Sequence, residues 1–235
     1  MIALNRVAAA AAFIFVILVS IGTLAAQERQ PSQPGQFDFY VLALSWSPSF
    51  CEASEERKPG SAPAEQCGTR PYSFVVHGLW PQYEKGGYPD RCQVPAPRLD
   101  RATASSMLDL MPSTSLIFHE WDRHGTCTGL EAKAYFDLIR KARAAIKIPA
   151  NYLEPQIARE TTPGDLEKDF IAANPGLAAS AISVTCDSKR VSEIRICLSK
   201  DLGFHDCAEL ERRSCQRAKL AMPAARVSGG PISAR

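Results

Sequence analysis

The eight cysteines of this 235-residue chain constrain its fold more than any other feature. All of them follow an N-terminal apolar segment of the kind that directs export, and their number is even. In an oxidising compartment such a set predicts four disulfide bonds within one stapled domain. The chain has no Cys-x-x-Cys spacing, which disfavours a zinc site or thioredoxin-like redox chemistry. Many pairings of eight cysteines are possible, and their spacing alone does not choose among them.

Residues 1–25 are predicted to be a signal peptide. Arg6 supplies the positive charge that precedes the apolar run at 7–21, and small residues at 23–26 offer cleavage sites. A retained membrane anchor is the alternative, but a span needs roughly 20 apolar residues and this run is shorter. We therefore expect a periplasmic or secreted protein that has no membrane contact once the signal peptide is removed.

The chain has the composition of a globular protein, with 46% hydrophobic and 22% charged residues. Its formal net charge is only +2, so bulk charge does not hold nucleic acid, and any chemistry on phosphate must depend on local placement. We expect a polar linker at 26–36, a single domain at 37–222 and a flexible tail at 223–235.

Hydrophobic periodicity predicts strands and helices that are intermixed without regular alternation, which indicates the α+β class. Residues 52–66 and 81–98 are predicted to be loops because they are rich in charge, proline or glycine. The loop at 81–98 is long for a compact domain, and such loops are usually functional or cross-linked. The predicted strands are 37–46, 73–77, 181–185 and 191–198, and the predicted helices are 104–110, 115–123, 131–146 and 162–173.

Three of the four histidines lie in two short segments that also contain tryptophan, and the second segment adds acidic residues and an arginine. His77 closes a predicted strand, and the second segment is predicted to be helical. At about 100° per residue, His119 and Arg123 lie roughly 40° apart on that helix. The same angle separates Glu120 from His124. One broad helix face therefore carries two imidazoles, a carboxylate and a guanidinium, and His77 can meet that face.

This set of side chains is suited to in-line attack on a phosphodiester. Two imidazoles with pKa values of about 6.5 can remove one proton and deliver another at physiological pH. A guanidinium binds non-bridging phosphate oxygens with its planar fork, and a carboxylate can orient a histidine or hold it protonated. RNA carries its own nucleophile, the 2′-hydroxyl, so this chemistry needs neither a metal nor a covalent enzyme intermediate.

Two other catalytic classes fit the sequence less well. His119, Glu120 and His124 superficially resemble a zinc-protease motif, but that motif places its histidines one helical turn apart. Here they are five residues apart, about 140° round a helix, and cannot easily bind one metal as adjacent ligands. The chain has no Gly-x-Ser-x-Gly sequence, which leaves a serine nucleophile unsupported. We expect no metal and no cofactor.

The two histidine segments resemble the two active-site segments of the ribonuclease T2 family: they read His77-Gly-Leu-Trp-Pro and His119-Glu-Trp-Asp-Arg-His-Gly-Thr-Cys127. Residues 37–48 are similar to the family's first core strand, and 194–200 to a later strand. The resemblance covers 37 to about 215. It implies a single disulfide-stapled domain in which helices flank a central, mostly antiparallel sheet. The disulfides that it implies are Cys51–Cys67, Cys92–Cys127, Cys186–Cys215 and Cys197–Cys207.

The resemblance implies a metal-independent endoribonuclease that cleaves single-stranded RNA by transesterification, leaves 2′,3′-cyclic phosphate ends and has low base specificity. By this resemblance His124 is the general base on the 2′-hydroxyl, and His77 is the general acid on the 5′-leaving oxygen. Glu120 stabilises the pentacovalent state together with residue 123, and His119 binds phosphate. The family usually has lysine where this chain has Arg123, which keeps the charge in a larger, planar group.

The resemblance also implies a base-binding pocket. Trp80 matches the family's base-stacking tryptophan, Tyr88 is expected to form a second wall, and Gln82 stands where some members carry aspartate. Single-stranded RNA is thus the expected partner, to the exclusion of DNA, and the chain is expected to be a monomer. The second hypothesis is a secreted binding protein that kept the scaffold and lost activity. Such a protein would normally have replaced a catalytic histidine or glutamate, and all three are present here.

Overall fold

The computed structural model describes residues 32–68, 70–207, 210 and 214–225. The predicted signal peptide, the first part of the predicted linker and residues 226–235 of the predicted tail lie outside the described residues. Within the described part, no helix combines the length and the apolar character that a membrane span requires.

The described residues form six strands, which are β1 (Phe39–Trp46), β2 (Phe74–Gln82), β3 (Arg159–Thr161), β4 (Ile182–Cys186), β5 (Val191–Leu198) and β6 (Leu220–Met222). Four of them pair as an antiparallel sheet in the order β2-β1-β5-β4. The other two, β3 and β6, pair in a separate sheet. β1 lies inside the larger sheet because its nearly continuous apolar run can be buried on both faces.

Six α-helices lie in the same part of the chain: α1 (Ser47–Arg57), α2 (Ala64–Cys67), α3 (Arg101–Ser106), α4 (Thr114–Arg123), α5 (Ala132–Ala145) and α6 (Pro163–Ala173). Three of them begin after a residue whose side chain accepts a hydrogen bond from a backbone N–H of the first turn. These caps are Asp100 for α3, Ser113 for α4 and Thr162 for α6. The cap at Ser113 fixes the start of α4, which carries the second histidine segment.

The two faces of β1 pack into different hydrophobic clusters. On one face Leu42 and Leu44 are fully buried in the main core, which also contains the apolar side chains of α5 and α6. On the other face Val41 packs in a smaller cluster with the Cys197–Cys207 disulfide. Burial of β1 on both sides holds the two neighbouring strands, β2 and β5, at a fixed register.

Four disulfides staple the domain: Cys51–Cys67, Cys92–Cys127, Cys186–Cys215 and Cys197–Cys207. They are the four pairs that the family resemblance implies. The Cys92–Cys127 bond ties the irregular segment that follows β2 to the short 3-10 turn that follows α4. The two histidine segments are therefore joined covalently as well as by packing.

The predicted α+β class is confirmed, with helices beside an antiparallel sheet. The end of the strand predicted at 73–77 is wrong, because β2 continues to Gln82. Residues 39–43 of β1 supply pairing partners for residues 78–82. β2 lies at the edge of the sheet, where Pro81 removes no interior ladder hydrogen bond.

Two helix predictions also need correction. The predicted loop at 52–66 contains most of α1 and the start of α2, which have little apolar periodicity and are joined by the Cys51–Cys67 disulfide. The helix predicted at 104–110 is instead α3, three residues earlier at its start, because Asp100 caps it. The three-residue strands β3 and β6 are too short for sequence periodicity to indicate them.

Both predicted boundaries of the domain carry contacts beyond 37–222. Upstream, the backbone N–H of Gly35 donates to the Cys127 carbonyl oxygen over 2.9 Å. Downstream, the indole N–H of Trp46 donates to the Pro223 carbonyl oxygen over 3.0 Å. The described ends of the predicted linker and tail are thus hydrogen-bonded to the domain.

Candidate active site

His77 lies at an irregularity in the pairing of β1 with β2. Ala43 pairs with Gly78 and Leu44 pairs with Val76, so His77 is an extra residue without a partner on β1. A bulge of this kind locally bends a strand and re-aims the side chain that it carries. The His77 side chain is consequently about one-third exposed, at 36%, in a strand that is otherwise largely buried.

The His77 imidazole lies between two carboxylates that come from different elements. Its Nδ1 is 2.5 Å from Oε1 of Glu193 on β5, and its Nε2 is 3.8 Å from Oε1 of Glu120 on α4. Burial disfavours the imidazolium, but the hydrogen bond and charge of Glu193, with the charge of Glu120, outweigh it. The pKa of His77 is therefore raised above 6.5.

Glu193 is held by two further groups besides His77. The Ser45 hydroxyl donates to its Oε1 over 3.1 Å, and the Arg195 guanidinium donates to Oε2 from Nε and one Nη at 3.0 and 2.8 Å. Burial of Glu193 raises its pKa, and the partners His77 and Arg195 lower it by more, so that the net pKa is about 2. Glu193 is thus a buried carboxylate that stays ionised.

Glu120 is the most deeply buried acid of the site, with 1% of its surface exposed. Its Oε2 accepts a hydrogen bond from the Trp80 indole N–H over 2.7 Å. Burial raises the pKa of Glu120 to about 7, although the His77 charge, the Trp80 hydrogen bond and the Arg123 charge all act to lower it. A carboxyl group with such a pKa can hold or release a proton near neutral pH.

Gly78 leaves room for this contact. A Cβ at position 78 would overlap both Oε2 of Glu120 and Nε1 of Trp80. The glycine after His77 is therefore explained by close approach of side chains rather than by its backbone angles.

His124 caps the C-terminus of α4 and is 8% exposed. Its ring centroid lies 5.6 Å from the ring of Trp80 and 5.7 Å from that of Tyr88. Burial lowers its pKa to about 3, and the neighbouring charges, Arg123 first among them, act in the same direction. Its Nδ1 is buried and has no hydrogen-bond partner among the described residues. His124 is thus a neutral imidazole at physiological pH.

Trp80 joins the two imidazoles. The ring centroids of His77 and Trp80 are 5.1 Å apart, so both histidines contact the same indole. The Arg195 guanidinium lies 5.2 Å from the Trp80 ring centroid, a cation–π distance. The indole is consequently fixed by contacts on several sides before any substrate is bound.

Arg123 is tied to the segment that follows β2. One Nη donates to the Tyr88 hydroxyl over 3.0 Å, and its Nε lies 3.3 Å from Oδ1 of Asp90. These partners raise the pKa of Arg123. The guanidinium therefore positions the Tyr88 wall as well as contributing charge beside His124.

A cavity of about 480 Å³ opens beside His77. Its lining includes Ser45, Phe50, Leu116 and the exposed His119. His119 thus shares a cavity with His77, on the same helix as Glu120. Within the described chain, no group of three or more histidine, cysteine or acidic side chains has the arrangement to hold a metal ion.

A model of the Ribonuclease T2 family matches residues 37–207. The chain belongs to the Ribonuclease T2 family. The resemblance to this family, which the sequence of the two histidine segments indicates, is thereby confirmed over residues 37–207.

Curated relatives in the Ribonuclease T2 family include several ribonucleases. A ribonuclease of Aeromonas hydrophila is 44% identical over 111 residues, which are 47% of each chain. Ribonuclease I of Escherichia coli (strain K12) is 26% identical over 232 residues, with 81% of this chain and 86% of the relative covered. The matches to the Aeromonas protein and to a probable ribonuclease of Haemophilus influenzae span only about half of those relatives, 47% and 44%.

Solved structures with a similar fold include ribonuclease MC1 from the seeds of bitter gourd, which is 22% identical with a TM-score of 0.59. The match covers 78% of this chain and 99% of that one. RNase NT in complex with 5′-AMP is 24% identical with a TM-score of 0.56, over 80% of this chain and 98% of that one. At these identities the likeness establishes the fold of the Ribonuclease T2 domain.

The structure brings most of the residues expected from the Ribonuclease T2 resemblance into one site. His77, Glu120, His124, Trp80 and Tyr88 form a continuous set of contacts. Gln82 lies two residues beyond Trp80 at the end of β2, where its amide donates to the Pro81 carbonyl oxygen. Arg123 joins this set through the Tyr88 hydroxyl, and His119 lines the cavity beside His77. The hydrogen bond of the Gln82 side chain is local and does not tie it to the set.

Sequence reasoning missed Glu193 and Arg195. A usable signal exists, because these two charged residues interrupt the apolar strand β5 and Glu193 is buried. A buried acid inside a strand needs a partner, and that requirement points to a site. That the partner of Glu193 is His77 depends on β1 lying between β2 and β5, which the sequence does not specify.

Proposed function

We propose that this chain is a metal-independent endoribonuclease that cleaves single-stranded RNA by transesterification, with His124 as general base and His77 as general acid. One observation carries the proposal: two imidazoles share contact with the Trp80 indole and have opposite environments. His77 lies between carboxylates and His124 lies buried beside cations. The ribonucleases among the relatives support the same activity.

The first half of the reaction uses the neutral His124. Its lowered pKa keeps the ring free to accept a proton. His124 removes the proton of the 2′-hydroxyl while the 2′-oxygen forms a bond to phosphorus. No covalent bond to the enzyme is formed, because the nucleophile belongs to the RNA.

The second half uses the protonated His77. As the bond from phosphorus to the 5′-oxygen breaks, Nε2 of His77 gives its proton to that oxygen. The raised pKa of His77 keeps the proton available at neutral pH. The products are a free 5′-hydroxyl and a 2′,3′-cyclic phosphate, which water can then hydrolyse.

Charge that builds on the non-bridging oxygens is stabilised by groups on and next to α4. Glu120, with its pKa near 7, donates a hydrogen bond to a phosphoryl oxygen in its protonated form. Arg123, which is hydrogen-bonded to the Tyr88 hydroxyl, contributes its charge, and His119 binds phosphate from the cavity beside His77.

Base binding depends on aromatic faces. Trp80 and Tyr88 both flank His124, so a base stacked between them has its ribose close to the general base. Stacking accepts any base, which accounts for the low base specificity, and Gln82 contributes what preference there is. Stacked bases must be unpaired, so the substrate is single-stranded RNA.

DNA lacks the 2′-hydroxyl and is not cleaved. A monomer suffices for the proposed reaction, because one chain supplies every group.

The proposal includes export of the protein from the cytoplasm. The apolar segment at 7–21 acts as a signal peptide, and the four disulfides suit a periplasmic or extracellular location.

The test is a product analysis of polymeric RNA treated with the purified protein in EDTA. We expect cleavage with 2′,3′-cyclic phosphate ends, and no cleavage of a DNA oligonucleotide of the same sequence. Loss of activity with the chelator, restored by a divalent metal, would contradict the metal-independent mechanism. RNA binding without cleavage between pH 4 and pH 8, the assay range that brackets about 6.5, would assign the chain to the binding proteins.

A further inference from the structure

Side chains from the three neighbouring strands β2, β1 and β5 contact one another at the candidate site. Ser45 of β1 pairs directly with Glu193 of β5, and on its other side β1 pairs with β2 next to the bulge at His77. The Ser45 hydroxyl and Nδ1 of His77 both contact Oε1 of Glu193. The Arg195 guanidinium occupies Oε2 with two hydrogen bonds.

Both oxygens of Glu193 are therefore fixed, and the carboxylate has little freedom to rotate. Its side chain is only 9% exposed. A buried charge of this kind is costly unless its partners are well placed, and three hydrogen-bonding groups meet that requirement here. Of these three partners, only His77 transfers a proton in the proposed mechanism, so His77 is the group that the carboxylate serves.

We infer that Glu193 is a positioning residue for His77: it holds Nδ1–H of the ring and leaves Nε2 facing the scissile phosphate. This inference rests on the proposed general-acid role of His77. Nε2 is the ring atom on the side of Glu120, at 3.8 Å from its Oε1. When Nε2 gives its proton to the leaving oxygen, the remaining proton stays on Nδ1 and the carboxylate stays ionised.

The charges around His77 support this assignment. Glu193 and Arg195 face it from β5, and Glu120 and His124 act on it from α4 and its C-terminal cap. Glu193 makes the largest favourable contribution to the protonated ring, and Arg195 partly opposes it. Arg195 nevertheless keeps Glu193 ionised, and it also lies on the face of the Trp80 indole.

Glu193→Gln tests the inference, because glutamine can keep a hydrogen bond to the ring but lacks the charge. Two substrates separate positioning of the acid from simple loss of structure. The first is a dinucleotide, whose 5′-alkoxide leaving group needs protonation. The second is a uridine 3′-aryl phosphate, whose phenolate leaving group departs without an acid.

We expect kcat for the dinucleotide to fall by about 10- to 100-fold, a part of what general-acid catalysis contributes. KM should stay within about 3-fold, since Glu193 does not touch substrate. The aryl ester should lose much less activity, and the basic limb of the dinucleotide pH profile should move to lower pH. The ratio of the two rates does not depend on how much of the preparation is folded.

Two further variants keep the test decisive. Glu160→Gln removes an exposed acid that pairs with Lys219, and it should leave both rates unchanged. Ser45→Ala removes a neutral hydroxyl donor to Oε1 and keeps the carboxylate charge, so it should not move the basic limb to lower pH. Equal losses on both substrates in Glu193→Gln, with an unchanged basic limb, would overturn the inference, and so would a Ser45→Ala limb that moves as far as that of Glu193→Gln. A wild-type protein that cleaves neither substrate would instead remove the proposed function itself.

Discussion

The indole N–H of Trp80 donates a hydrogen bond to Oε2 of Glu120 over 2.7 Å. The residue expected to stack a base is thus also the partner of the buried acid that, in the proposed mechanism, donates to the phosphate. The same indole contacts the rings of His77 and His124. In the proposed mechanism substrate binding and catalysis therefore share one side chain, and its substitution should affect both.

Replacing Trp80 with phenylalanine separates the two roles. Phenylalanine keeps an aromatic face but cannot donate a hydrogen bond to Glu120. A buried acceptor left without its donor costs about 1–3 kcal/mol, so kcat should fall by roughly 5- to 150-fold. KM should change little in Trp80→Phe and rise strongly in Trp80→Ala, which loses about 1–3 kcal/mol of stacking. Steady-state kinetics on dinucleotides measure both, and an unchanged kcat in Trp80→Phe would show that the hydrogen bond is dispensable.

Gly78→Ala should impair catalysis without unfolding the protein. The added Cβ would overlap the Glu120 carboxylate and the Trp80 indole, so at least one of them must move. We expect kcat to fall by at least about 10-fold, since misplacement of a reacting group by about 1 Å is costly. The control is Gly164→Ala in the first turn of α6, where a Cβ meets open space. A kinetic assay with a thermal melt distinguishes the two variants, and wild-type kcat in Gly78→Ala would contradict the explanation given for this glycine.

Local sequence patterns predicted the parts of the fold that depend on short-range order. Strand β5 occupies the predicted residues, and α5 departs from its prediction by one residue at each end. In both, apolar residues recur at the period of the element and are buried in the structure. Residues 119–123 of the second histidine segment lie on α4 as predicted, because the cap at Ser113 and the buried side of that helix agree, and His124 follows as the C-cap.

What local patterns could not predict depends on strand neighbours. The extension of β2 past Gly78 needs β1 as its partner, and the role of Glu193 needs the order β2-β1-β5. A bulge at His77 likewise follows from the register of two strands that are distant in sequence. The histidines, the acid and the tryptophan of the site were predicted from their motifs, whereas the carboxylate behind His77 belongs to no motif.

Replacement of either imidazole should abolish most of the activity. His77→Ala and His124→Ala each remove one proton-transfer group, which contributes about 10²- to 10⁴-fold. Folding should persist, because neither ring is part of the main hydrophobic core. Single-turnover cleavage of a dinucleotide, with circular dichroism as the folding control, measures the effect. His205→Ala is the matched histidine variant, since His205 pairs with Glu84, packs on Phe39 and has no proposed part in proton transfer.

The pH profile of kcat/KM should be broad and extend into acid. The base His124 must be neutral, and its lowered pKa of about 3 keeps it neutral well below pH 6.5. The acid His77 must be protonated, and its raised pKa keeps it so above pH 6.5. The acid limb should therefore lie below the ordinary histidine range, and the basic limb should lie above pH 6.5, where His77 and Glu120, with its pKa of about 7, lose their protons. Rates measured on a dinucleotide at constant ionic strength test this, and an acid limb near pH 6.5 would show that His124 titrates normally.

Arg190 should matter for stability rather than for catalysis. Its guanidinium is 6% exposed and pairs with Glu52 and Glu56 of α1 at 3.0 and 2.8 Å, and with Asp187 at 2.9 Å. It thus links α1 to the turn between β4 and β5. The partly exposed carboxylates can regain water when the cation is removed, which limits the loss.

We expect Arg190→Met to lower the free energy of unfolding by about 1–3 kcal/mol, since it removes three ion pairs of a buried guanidinium while keeping an apolar stem. Urea denaturation is the suitable measurement because urea does not screen charge. Lys133→Met is the matched control: it removes the exposed partner of Asp137 at 2.7 Å and should cost no more than about 0.5 kcal/mol. Equal effects of the two substitutions would mean that burial of the Arg190 network adds nothing to the free energy of unfolding.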